Sequence, residues 1–83
     1  MLSLNFNIKI GMTLSEYYIN RNVKIIKRVK ELQNNTKEQV PVILNKVAIE
    51  FDVSPFTIKA VFYDKSYAYA KEAWDMFNQN KTN

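Results

Sequence analysis

Hydrophobic and polar positions along the chain follow two different periods. The first eleven residues, MLSLNFNIKIG, alternate: Leu2, Leu4, Phe6, Ile8 and Ile10 on one side, Ser3, Asn5, Asn7 and Lys9 on the other. That is β-strand spacing. No second segment shares it, and a lone strand leaves its backbone groups unsatisfied. The strand is therefore expected to pair with its copy in another protomer or with the sheet edge of a partner. The competing expectation is a start at Met12 with the preceding residues as a weakly ordered tail.

From Thr13 onward the period is helical. TLSE at Thr13 to Glu16 has capping-box spacing, with the Thr13 hydroxyl accepting from the Glu16 amide and the Glu16 carboxylate accepting from the Thr13 amide. Beyond it Leu14, Tyr18, Ile25, Val29 and Leu32 share one face, widened by Ile19, Val23 and Ile26, and Arg21, Lys24, Lys27 and Arg28 lie opposite. This first helix is expected to end near Gln33, with Asn34 or Asn35 in the left-handed conformation that closes helices. Thr36 to Gln39 has the spacing of a second capping box, and Pro41 suits a first helical turn. A second helix should run from Val40 or Pro41 to Phe51, with Asp52 in the turn. Ser54 as N-cap and Pro55 at the first helical position then open a third, to about Tyr63. Ser66 is expected to cap a fourth helix, with Tyr69, Ala70, Ala73, Trp74, Met76 and Phe77 on one side. The predicted fold is mainly α: four helices containing a helix-turn-helix, plus one N-terminal strand. Residues 1–11 form the arm, 12–80 a single helical domain and 81–83 a frayed tail.

Within LNKVAIEFDVSPFTIKAVFY, Val47, Phe51, Val53, Ile58 and Val61 are apolar and Ala48 is small. Two steeply crossing helices need those properties at those positions. The segment resembles the helix-turn-helix of lac-repressor-type and related phage-repressor regulators, gap-free and including Val53, Ser54 and Thr57. It covers residues 44–63, about a quarter of the chain. Where such regulators usually carry glycine in the turn, this chain has Asp52. Their base-contacting positions fall here on Pro55, Phe56 and Ala60, none of which makes bidentate hydrogen bonds to a base. Polar contacts are left to Ser54, Thr57, Lys59 and Tyr63, with Phe56 able to meet a thymine methyl.

Composition narrows the chemistry. The chain has no cysteine, no histidine and a single glycine, Gly11. Disulfides, thiol nucleophiles, Cys- or His-based metal sites and Gly-rich phosphate loops are thereby excluded, so neither an enzyme nor a cofactor is expected. The absence of cysteine and of any membrane-spanning or leader-like apolar run fits a cytoplasmic protein. A net charge of +4 leans toward an anionic partner.

The leading expectation is thus a small DNA-binding transcriptional regulator of the phage or mobile-element type, acting as a homodimer on double-stranded DNA. Its contacts would come from Ser54, Phe56, Thr57, Lys59 and Tyr63, with Arg21, Lys24, Lys27 and Arg28 on the flanking backbone. The alternative is a protein-interaction module (an antirepressor, host-takeover factor or virion component). It would grip its partner through Phe56, Ala60, Phe62 or the N-terminal strand.

Overall fold

The computed structural model describes residues 13–81, so the N-terminal strand or arm and the last two residues lie outside the described part. Four helices form an all-α globule: α1 (Leu14–Asn35), α2 (Val40–Phe51), α3 (Pro55–Tyr63) and α4 (Ala70–Lys81). There is no strand among the described residues.

Helix α1 starts as its sequence requires. The Thr13 hydroxyl accepts from the Glu16 amide at 3.1 Å and the Thr13 amide donates to Glu16 Oε1 at 2.9 Å, completing the capping box. At 22 residues, about 33 Å, α1 is the longest element and packs against all three others. Its C-terminus differs from expectation. Neither Asn34 nor Asn35 turns left-handed; Thr36 is extended, and its hydroxyl donates to the Leu32 carbonyl at 2.7 Å. The same hydroxyl accepts from the Glu38 amide at 3.3 Å. Engaged in closing α1, it does not cap α2, whose N-cap Gln39 makes no side-chain capping bond.

Helix α2 ends in a tight corner. Asp52 is left-handed (φ 57°, ψ 45°), its amide donates to the Ile49 carbonyl at 3.3 Å, and the Val53 amide donates to the Ala48 carbonyl at 3.1 Å. This crossed pair is a Schellman closure, which satisfies carbonyls the helix end would otherwise leave orphaned. Only Asp52, Val53 and Ser54 separate α2 from α3. The Ser54 hydroxyl accepts from the Thr57 amide at 3.1 Å, and Pro55 occupies the first helical position, where a missing N–H costs nothing.

Helix α4 begins later than the sequence suggests. Ser66 caps nothing: its amide and hydroxyl both donate to Asp64 Oδ1, at 3.0 and 2.6 Å. That local turn displaces the helix start to Ala70, after Tyr69 in a left-handed conformation (φ 64°). Tyr69 thus lies outside the helix it was expected to join.

The core sits where the four helices meet. Ile25, Ile26, Val29 and Leu32 come from α1, Ile43, Leu44, Val47 and Ala48 from α2, Ile58, Val61 and Phe62 from α3, and Ala73 from α4. Phe51, Val53, Tyr67, Trp74 and Phe77 pack against it. Helices α2 and α3 pack against each other, and Val47, Ala48, Ile58 and Val61 are buried in the shared core.

Candidate functional site

Helix α3 touches α1, α2 and α4, so most of its circumference is enclosed and one outward stripe remains. Phe56, Lys59 and Tyr63 form it, spaced i, i+3, i+7 and all exposed, Phe56 by 73%. This enclosure corrects the expectation that Ala60 and Phe62 face outward with Phe56. Ala60 is only 6% exposed and Phe62 only 9%. The Phe62 ring lies 5.1 Å from that of Trp74, under α4. Neither is available to a partner.

The polar residues at the start of α3 are partly engaged. Ser54 and Thr57 hydroxyls lie 3.1 Å apart in a mutual hydrogen bond, so one donates to the other while its neighbour's proton stays available. Lys59 forms no ion pair among the described residues.

The basic arc of α1 does not act as a unit. Arg28 is bidentate to Glu50 of α2, Nε to Oε1 at 2.9 Å and Nη2 to Oε2 at 3.0 Å, and also meets Glu31. Its charge is compensated within the protein. Its hydrogen bond and charge hold the Glu50 carboxyl below the usual glutamate range, while Glu50 raises the guanidinium. Lys24 and Lys27 are exposed and have no carboxylate partner among the described residues. At roughly 100° per residue, Lys27 lies about 120° around the helix from Arg21 and points elsewhere.

Arg21 is placed differently. Its Nε and Nη2 donate to the Asn22 side-chain oxygen at 3.1 and 2.9 Å, and its guanidinium sits 5.0 Å from the centroid of the Tyr18 ring. Asn22 is the one buried polar residue among the described residues, and its amide nitrogen donates to the Ala68 carbonyl at 3.5 Å. Arg21 therefore has a fixed position and, among the described residues, no carboxylate to neutralise it. It lines a cleft of about 310 Å³ with Tyr18, Val53, Thr57, Tyr67, Ala68 and Tyr69, between α1, the start of α3 and the turn before α4. Tyr18 and Tyr69 are nearly parallel, 6° apart in plane with centroids at 6.1 Å. Holding a bulky residue at positive φ costs on the order of 1–3 kcal/mol, and Tyr69 is so held at the cleft wall.

Sequence reasoning singled out Arg21, Thr57 and the α3 stripe but missed this cleft. Asn22 was the available signal. It falls three residues before Ile25 and seven before Val29, an amide on the apolar face of α1, where burial demands a partner.

Comparison with protein-family models, curated proteins and solved structures finds no match. Among the described residues no helix is long and apolar enough to cross a membrane, and no three His, Cys, Asp or Glu side chains gather as metal ligands.

Proposed function

We propose that α2 and α3 are a helix-turn-helix and that the protein is a small DNA-binding regulator of the kind carried by phages and mobile elements. The observation that carries this reading is the corner itself. A three-residue turn closed by left-handed Asp52 leads into a helix whose single outward stripe, Phe56–Lys59–Tyr63, has the uncompensated Arg21 beside its first turn through Thr57.

On this reading α3 enters the major groove. Lys59 reaches a phosphate or a guanine, Phe56 packs on thymine methyl groups, and Tyr63 bonds a backbone oxygen. Arg21 and Lys24 supply further phosphate contacts, whereas Arg28, tied to Glu50, contributes little. Such an interface has few base-directed hydrogen bonds. Its affinity is dominated by phosphates, with a preference for A·T-rich sites from Phe56. A homodimer would double these contacts and set half-sites about 34 Å apart. The role calls for no cofactor and no catalytic group.

The test is the salt dependence of binding to A·T-rich duplex DNA. Each phosphate contact contributes about −0.9 to the slope of log K against log salt. Lys24→Ala with Lys59→Ala should make the slope shallower by about 1.8. An unchanged slope rejects the assignment of these two lysines.

A second reading has its own observation. Ile49 is 81% exposed on α2, and it lines a groove with Pro55 and Val53 across the same corner on which Phe56 stands free. An exposed apolar pair at a helix corner suits a protein partner. Phe56→Glu separates the two readings, since loss of a protein contact with DNA affinity intact would favour the second.

A further inference from the structure

The cleft beside Arg21 has features that a groove-reading helix does not need. The Asn22 carbonyl oxygen takes up Nε and one Nη2 hydrogen of Arg21, leaving Nη1 and the other Nη2 hydrogen with no protein acceptor among the described residues. The guanidinium is pre-oriented by a fully buried amide and by the Tyr18 ring, which removes the usual entropy cost of fixing a long side chain. Tyr18, Tyr67 and Tyr69 line the same space, and none of their hydroxyls has a hydrogen-bond partner among the described residues. Thr57, in the first turn of α3, brings the positive end of that helix to the wall. Among the described residues no carboxylate lines the cleft.

We propose that this cleft is a binding site for a phosphoryl group. A tetrahedral, multiply charged oxyanion takes donors from several directions at once, and the guanidinium fork together with the hydroxyl-bearing Tyr18, Tyr67, Tyr69 and Thr57 of the same lining can supply them. A planar carboxylate would use the fork and leave the tyrosines idle. The phosphoryl group belongs either to a DNA backbone or to a small phosphorylated molecule, for which a cleft of about 310 Å³ leaves room. The site goes beyond the helix-turn-helix reading, because it needs only Arg21 and its surroundings and not the α3 stripe.

The experiment is an NMR titration of the uniformly ¹⁵N-labelled protein with inorganic phosphate, and with acetate at matched ionic strength. Saturable shifts at the Arg21 Nε–H and at the amides of Asn22, Thr57 and Ala68 to Ala70 are expected with phosphate, and at least several-fold weaker ones with acetate. Unsaturable shifts spread over the lysine-bearing surface, or equal response to acetate, would overturn the proposal without any variant. Arg21→Lys keeps the charge but loses the fork, so its phosphate affinity should fall at least tenfold in a protein whose spectrum shows it folded. Lys37→Ala, an exposed change far from the cleft in sequence, should leave affinity unchanged. Equal affinity in Arg21→Lys would reduce the cleft to ordinary cationic surface and overturn the proposal. Adding duplex DNA then distinguishes the sources. Displacement of phosphate from the cleft assigns it to a backbone phosphate, and simultaneous binding assigns it to a small phosphorylated molecule. Phosphate binding with no duplex binding at all would leave the cleft standing and remove the DNA reading.

Discussion

Among the described residues two, neither of them glycine, hold the left-handed conformation that glycine adopts most easily. Asp52 at φ 57° closes α2, and Tyr69 at φ 64° precedes α4. Because Asp52 pays for the tight corner with backbone strain, Asp52→Gly should raise stability by roughly 0.5–1 kcal/mol, and Asp52→Val should lower it by more. Urea midpoints at constant m-value check both. Titration offers another residue-scale test. Hydrogen bonds from the Ser66 hydroxyl and amide hold Asp64 below the usual aspartate range, and Arg28 does the same for Glu50. A depressed folded pKa means stabilisation that is complete above the unfolded value and lost as pH falls through the folded one. Below the ordinary carboxylate range the Ser66 amide should therefore lose protection first, while Arg28→Gln should return the Glu50 midpoint upward. Hydrogen exchange reads the first and carbon-detected NMR titration the second, and a Glu50 midpoint unmoved by Arg28→Gln would contradict the pairing. At this scale the sequence was legible where a cap had one local partner, as at Thr13 with Glu16 and at Ser54 before Pro55. It misled where two partners competed: Thr36 bonded back to Leu32, and Ser66 turned to Asp64.

The helices themselves followed from periodicity, yet their neighbours did not. An amphipathic pattern gives the width of a buried face but not which element covers it. So the burial of Phe62 emerged only once Trp74 of α4 lay against it, and the split of the basic arc only once Glu50 met Arg28. The Trp74 indole shows how α4 holds α3. Its Nε1–H donates to the Val61 and Phe62 carbonyls, each at 3.2 Å, in the last turn of α3, where no helical donor follows. Its ring packs on Phe62 and Phe77. Trp74→Phe retains much of the packing and removes the donor, so it should cost about 1–3 kcal/mol and speed amide exchange at Tyr63 and Asp64 ahead of α1. Uniform acceleration throughout the chain would contradict this local role.

As a whole the molecule depends on one small core. A domain of this size is stable by only about 0.05–0.15 kcal/mol per residue, and Ile58, fully buried among helices α1, α2 and α3, would cost roughly 2–5 kcal/mol if cut to alanine. Ile58→Ala should therefore remove a large share of that stability and lower the thermal midpoint markedly, which circular dichroism would show directly. The exposed ion pairs cannot replace such a loss, since surface pairs contribute little. What the core achieves is to hold α3 with one face outward and Arg21 beside its first turn. The charge excess and the corner were readable from the residues alone; the cleft was not, because Tyr18, Arg21, Thr57 and Tyr69 meet only in the folded chain.

The most direct test of the DNA-binding proposal is a titration of the purified protein against A·T-rich duplex DNA at low and moderate salt, with solution mass recorded alongside. Binding by a dimer that weakens steeply with salt, with a shallower slope in the Lys24→Ala and Lys59→Ala double variant, is the expected result. No binding at low salt would contradict it, leaving the α2–α3 corner as a scaffold whose exposed Ile49 and Phe56 serve a protein partner.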